Sequence, residues 1–125
     1  MGRKNNRATG PDEGTQVITV KGELDLATAD RLYQRGRAAI GRQARLLLLD
    51  LAGVSFCDSS GLSAFVRIAN DADAAGCQYG LVGPQPLVLK VLRITGLDQR
   101  LPVFRTVDEA RRRFPALTGA APTTC

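Results

Sequence analysis

The run Arg45-Leu46-Leu47-Leu48-Leu49-Asp50-Leu51 constrains the fold of this chain more than any other stretch. Four consecutive leucines lack both the alternation of a half-exposed strand and the spacing of an amphipathic helix, so they predict a strand covered on both faces. The flanking segments agree with such a layered arrangement. Before the run, QVITVKG (16–22) is β-branched and reads as a strand. LATADRLYQRGRAAIG (26–41) then places Ala29, Leu32, Tyr33, Gly36 and Ile40 on one helical face, with Gly41 as its stop.

Beyond the run, the chain passes through a loop into a helix with Leu62, Phe65, Val66 and Ala69 on its apolar face. That face gives out at Asp73, ahead of Gly76. QYGLVG (78–83) is a short strand, and QPLVLKVLRITG (85–96) is a helix from Pro86 to Gly96. LPVF (101–104) is a last strand. TVDEARRRF (106–114) opens with Thr106 and Glu109 as a capping box and carries its arginines where the helix dipole favours them, before Pro115. The order β-α-β-α-β-α-β-α predicts an α/β fold: a mixed, largely parallel sheet of four or five strands with about four helices and right-handed crossovers. One domain is expected over 17–114, between flexible tails at 1–16 and 115–125.

Composition narrows the function classes. With 125 residues, 44% hydrophobic and 23% charged, the chain is that of an ordinary globular domain. No apolar run approaches the roughly 20 residues of a membrane span, and MGRKNNRATGPDEGTQ has no apolar signal core, so a cytoplasmic protein without membrane partners is expected. The net charge of +5 comes from scattered basic residues with no Trp and little aromatic interleaving, which argues against direct nucleic-acid binding. Cys57, Cys77 and Cys125 show no C-x-x-C pairing; they read as two semi-buried thiols and one in a tail, with no metal site or obligatory disulfide.

The chemistry concentrates in Asp58-Ser59-Ser60-Gly61, at the carboxyl end of the leucine strand, where α/β proteins gather their sites. Three readings compete. Asp58 or Ser59 is a helix N-cap, although Gly61 in the first turn then weakens the helix, unless a close approach of another group requires it. A serine hydrolase is excluded, because the chain contains no histidine and neither S-x-x-K nor G-x-S-x-G. No phosphate-cradling loop is present either, so no enzyme and no cofactor is expected. The third reading is a serine modified by another protein's kinase, the phosphate being tolerated at a helix start and acting outward.

VITVKGELDLATADRL followed by LLLLDLAGVSFCDSSGLSAFV resembles the STAS domains of bacterial anti-sigma factor antagonists (anti-anti-sigma factors), over about Val17 to Phe114 and including GLDQRLPVF. The resemblance implies a partner switch in transcription regulation. The unmodified antagonist binds an anti-sigma factor that is also a serine kinase of the histidine-kinase-like ATPase fold, which frees the sigma factor. The kinase then phosphorylates the antagonist, and a serine phosphatase reverses the mark. It implies Ser60 as the phosphorylated residue, in preference to Ser59, which is expected to cap the helix. Asp25, Asp58, Ser59 and Gly61 form the surroundings, and Glu23, Asp25, Asp58, Ser60, Leu62 and Ser63 are expected to face the partner. The family also has a strand before G-E-L-D; here that segment is RATGPDEGTQ (7–16), whose Pro11 and two glycines make it a poor strand. The alternative is a non-switching STAS interaction module or nucleotide-binding module of a signalling complex.

Overall fold

Alternate leucines of the apolar run turn to opposite sides of one strand, and each side meets its own layer. In the computed structural model, which describes residues 14–114, Leu47, Leu49 and Leu51 belong to one core cluster and Leu46 and Leu48 to another. All five are fully buried. The elements are β1 (Thr15–Leu24), α1 (Leu26–Gly41), β2 (Leu46–Cys57), α2 (Ser59–Ala74), β3 (Gln78–Val82), α3 (Pro86–Ile94), β4 (Val103–Phe104) and α4 (Val107–Arg113). A 3-10 turn at Leu97–Gln99 joins α3 to β4.

The sheet has the order β1-β2-β3-β4, and every described pairing is parallel, so the antiparallel component expected of a mixed sheet is absent among the described residues. Leu32 of α1, Phe65 and Ile68 of α2, and Val88 and Leu92 of α3 join the larger cluster. Ala110 of α4 packs with Leu46, Leu48, Val82 and Phe104 in the smaller one. Parallel strands need crossovers, and here helices supply them. The expected tails lie outside the described residues except at Gly14, a turn whose carbonyl accepts from Arg45 and Leu46, and at Thr15 and Gln16, which belong to β1. Of the segment 7–16, where the family's first strand would fall, 7–13 also lies outside them.

Both strands that lead to the site are longer than the sequence suggests. β1 continues past Gly22 to Leu24, and Ala52 to Cys57, expected as loop, is strand. The pairing Thr19↔Asp50, Lys21↔Gly53, Gly22↔Val54, Glu23↔Phe56 advances β2 by one residue more than β1 at two places. Such bulges bend and twist a pair without ending it. The Asp50 carboxylate accepts the Ala52 N–H at 3.1 Å, and Gln85 Nε2 donates to the Ala52 carbonyl at 2.7 Å, so the polar groups freed there are satisfied.

Helix ends depart from expectation in detail. Gly41 is the last residue of α1 rather than its stop. The left-handed position falls at Gln43 (φ 65), with Gln43 N–H to Ile40 O and Ala44 N–H to Ala39 O closing the end. Gly76 (φ 73) takes the same position after α2, as its freedom at positive φ favours. The buried face of α2 is Gly61, Ala64, Phe65, Ile68 and Ala72, one residue out of phase with the predicted one; Leu62, Val66 and Ala69 flank it. Small side chains take the line of closest approach, which a reading of large apolar residues overlooks. At α4, Thr106 Oγ1 accepts the Glu109 N–H at 3.0 Å, but Glu109 reaches back to Arg105 N–H (2.7 Å) rather than to Thr106.

Candidate functional site

The parallel pairing of β1 and β2 ends at Leu24↔Cys57, and each strand is followed by one aspartate and then a helix. Asp58 N–H donates to the Leu24 carbonyl at 3.2 Å, which holds the two helix starts side by side. Asp25 caps α1: its carboxylate accepts the Thr28 N–H at 3.1 Å, and its own N–H donates to Thr28 Oγ1 at 2.8 Å. This reciprocal box was legible as Asp25-Leu26-Ala27-Thr28 but was not expected. Backbone and side-chain hydrogen bonds from Thr28 hold the Asp25 carboxyl below the usual aspartate range. Thr28 Oγ1 also lies 2.9 Å from the Glu23 carbonyl, which ties the end of β1 to the first turn of α1.

Asp58, not Ser59, caps α2. Its Oδ1 accepts the Ser60 N–H at 2.8 Å and the Gly61 N–H at 3.3 Å, and its carbonyl accepts the Leu62 N–H at 3.1 Å. Ser59 is the first helical residue and is exposed. Asp wins because its carboxylate stands one residue before the first helical turn, where a cap must be. The helix start is consequently not the open anion cradle that the sequence reading pictured: the Asp58 carboxylate already occupies two of its amides.

Gly61 marks a close approach, and the approaching groups are the domain's own. A Cβ at Gly61 would stand 2.5 Å from Cys57 Sγ and 2.9 Å from Leu24 Cβ. Cys57, expected as a semi-buried thiol, is buried, and burial, with a lesser contribution from the Asp58 charge, pushes its thiol up to about 11. Cys77 is buried too, and its thiol is also raised by burial. Cys125 lies outside the described residues.

Ser60 is half-buried, and its hydroxyl has no hydrogen-bond partner among the described residues. It lines a shallow groove of about 420 Å³ between α1 and α2, with Leu26, Ala29, Asp30, Ser59, Ser63, Ala64 and Arg67. The only ionisable groups in that lining are Asp30 and Arg67. Among the described residues no side chain accepts a hydrogen bond from the Ser60 hydroxyl, so it is suited to receive a group delivered from outside rather than to attack unaided.

The structure thus brings Asp25, Asp58, Ser59, Ser60, Gly61 and Ser63 together around two adjoining helix starts. Glu23 is exposed near the end of β1, opposite Phe56. Leu62, expected both on the apolar face of α2 and toward the partner, is partly buried and flanks the larger core cluster. Sequence reasoning missed Leu26 (76% exposed), Phe56 (47% exposed), Asp30 and Arg67. Leu26 was hidden because its spacing to Ala29 and Tyr33 continues the apolar face of α1, although it is exposed in the first turn. Arg67 was detectable as the residue two turns after Ser60.

Comparison with known proteins agrees with this architecture. The STAS domain family matches residues 8–110. The anti-sigma-F factor antagonist RsfB of Mycobacterium tuberculosis is 26% identical over 97 residues, covering 78% of this chain and 79% of that protein. A crystal structure of an anti-sigma factor antagonist from Mycobacterium paratuberculosis superposes with a TM-score of 0.73 at 30% identity, over 81% of this chain and 86% of the other. The Bacillus protein SpoIIAA is similar in both of its solved forms. Its unphosphorylated form matches with a TM-score of 0.70 at 27% identity, over 86% of this chain and 91% of that one. Its phosphorylated form matches with a TM-score of 0.62 at 28% identity, over 80% and 90%. Among the described residues no helix is long and apolar enough to cross a membrane.

Proposed function

The chain belongs to the STAS domain family, and from that premise we propose that it is an anti-sigma factor antagonist switched by phosphorylation of Ser60. The unmodified protein binds an anti-sigma factor with serine kinase activity and thereby releases a sigma factor. The kinase transfers the γ-phosphoryl group of ATP to Ser60 Oγ, with ADP as the leaving product, and the complex separates. A serine phosphatase restores the unmodified form.

The observation that carries this reading is the setting of Ser60. It is a hydroxyl without an internal partner, facing an open groove, at the start of a helix already capped by Asp58. A phosphate brings a charge of about −1.5 to −2. Here that charge falls between the Asp58 carboxylate and Asp30 across the groove. It therefore acts against a docked surface, while the core leucines beneath are untouched. The exposed Leu26 and Phe56 beside the two caps offer that surface its apolar contacts, with Glu23, Asp25 and Ser63 at its polar margin. Names of the relatives support the antagonist role, and a solved phosphorylated SpoIIAA supports the switch.

Incubation with the anti-sigma factor and ATP, followed by peptide mapping, tests the assignment. Phosphate on Ser60, lost in Ser60→Ala, is the expected result. Phosphate on Ser59 or elsewhere, with Ser60→Ala still modified, refutes it.

A further inference from the structure

Arg67 stands between two features of the α1–α2 face. It lines the groove that contains Ser60, and its guanidinium carbon lies 3.9 Å from the centroid of the Tyr33 ring. That ring is held in place, since the Tyr33 hydroxyl donates to Asp71 Oδ2 at 2.6 Å. Arg37 approaches the same ring at 5.8 Å.

Ser60 and Arg67 are seven residues apart on one helix, about 10.5 Å along its axis and on the same side. Helical side chains lean toward the N-terminus, so the long Arg67 side chain, once off the Tyr33 ring, has the reach to extend toward Ser60. The intervening groove residues on α2 are Ser63 and Ala64, too small to block it. Arg67 is also the one cation lining the groove, which carries the Asp30 carboxylate as well, with Asp58 capping the same helix start, Asp25 the adjoining one, and Arg37 farther off beside the Tyr33 ring.

We propose that Arg67 is the intramolecular binding partner of a phosphate on Ser60, leaving its stacked position on Tyr33 to pair with the phosphate oxygens. The inference rests on the reading of Ser60 as the modified residue. Stacking of a guanidinium on a partly exposed ring is weak beside a charge-assisted fork to a phosphate. Phosphorylation then changes the face twice. It adds negative charge at Ser60 and withdraws the positive charge of Arg67 from the surface, uncovering the Tyr33 ring.

The test uses full-length protein with phosphoserine installed at position 60 during translation, so no kinase is needed. If no anti-sigma kinase modifies Ser60, the proposed function fails, yet the pairing is measured all the same. Phosphorus NMR follows the second ionisation of the phosphate, ordinarily near pH 6. A paired cation favours the dianion and lowers that pKa. The expected result is a phosphate proton affinity at least threefold weaker, about half a pKa unit lower, in wild type than in Arg67→Gln. The Tyr33 ring resonances of wild type should also shift when phosphoserine replaces Ser60. Identical titrations in the two proteins, or Tyr33 resonances unmoved by the phosphate, would overturn the proposal.

Discussion

The Asp58 carboxylate accepts the Ser60 N–H at 2.8 Å, so the residue that caps α2 also holds the backbone of the serine proposed as the switch. Cap and switch are thereby separable by mutation. Asp58→Ala removes the cap and should cost about 1 kcal/mol, whereas Asp58→Asn keeps an acceptor in place and should cost a few tenths. Urea denaturation distinguishes them. Equal losses in the two variants would contradict the capping role.

Gly61 is set by its neighbours rather than by helix propensity. Alanine in an exposed helix interior would gain about 1 kcal/mol over glycine. At Gly61 the added methyl meets Cys57 Sγ at 2.5 Å and Leu24 Cβ at 2.9 Å. Gly61→Ala should therefore destabilise the domain by about 1–3 kcal/mol. Cys57→Ala should recover part of that loss in the double variant. Additive effects in the double-mutant cycle would show that the two positions do not compete for space.

Asp25 links stability to acid. Hydrogen bonds from Thr28 lower its folded-state pKa below that of the unfolded chain. A depressed carboxylate stabilises the fold above the unfolded value, roughly pH 3.9, and that contribution is lost as pH falls through the folded value. The difference in urea midpoint between wild type and Asp25→Asn should be constant from pH 5 to 7 and shrink below about pH 4. A difference that persists unchanged into stronger acid would contradict the assignment.

The α/β class and the existence of the helices were legible because the leucine run is short, bounded by turn residues and followed by helically spaced apolar positions. Asp58-Ser59-Ser60-Gly61 was found where strand meets helix. Pairing across strands was hidden: Ala52 to Cys57 has the look of a loop, and only its partner Lys21 to Leu24, reached through two bulges, makes it a strand. The cap was ambiguous between Asp58 and Ser59, because a difference of one residue in the helix start decides it. The α2 face was misphased by one residue for a simple reason. The helix turns Gly61, Ala64 and Ala72 inward, and small residues carry little hydrophobic signal.

Calorimetry of the anti-sigma factor against the plain and Ser60-phosphorylated forms tests the switch most directly, with circular dichroism of each form recorded beside it. Unmodified protein and Ser60→Ala should bind, and Ser60→Asp should bind poorly, though one carboxylate carries less charge than a phosphate. The phosphorylated form should bind at least tenfold more weakly, about 1.4 kcal/mol, with an unchanged spectrum. Equal affinities for the two forms would contradict the switch, and a gross spectral change would contradict the claim that the charge acts outward on a fold that stays in place.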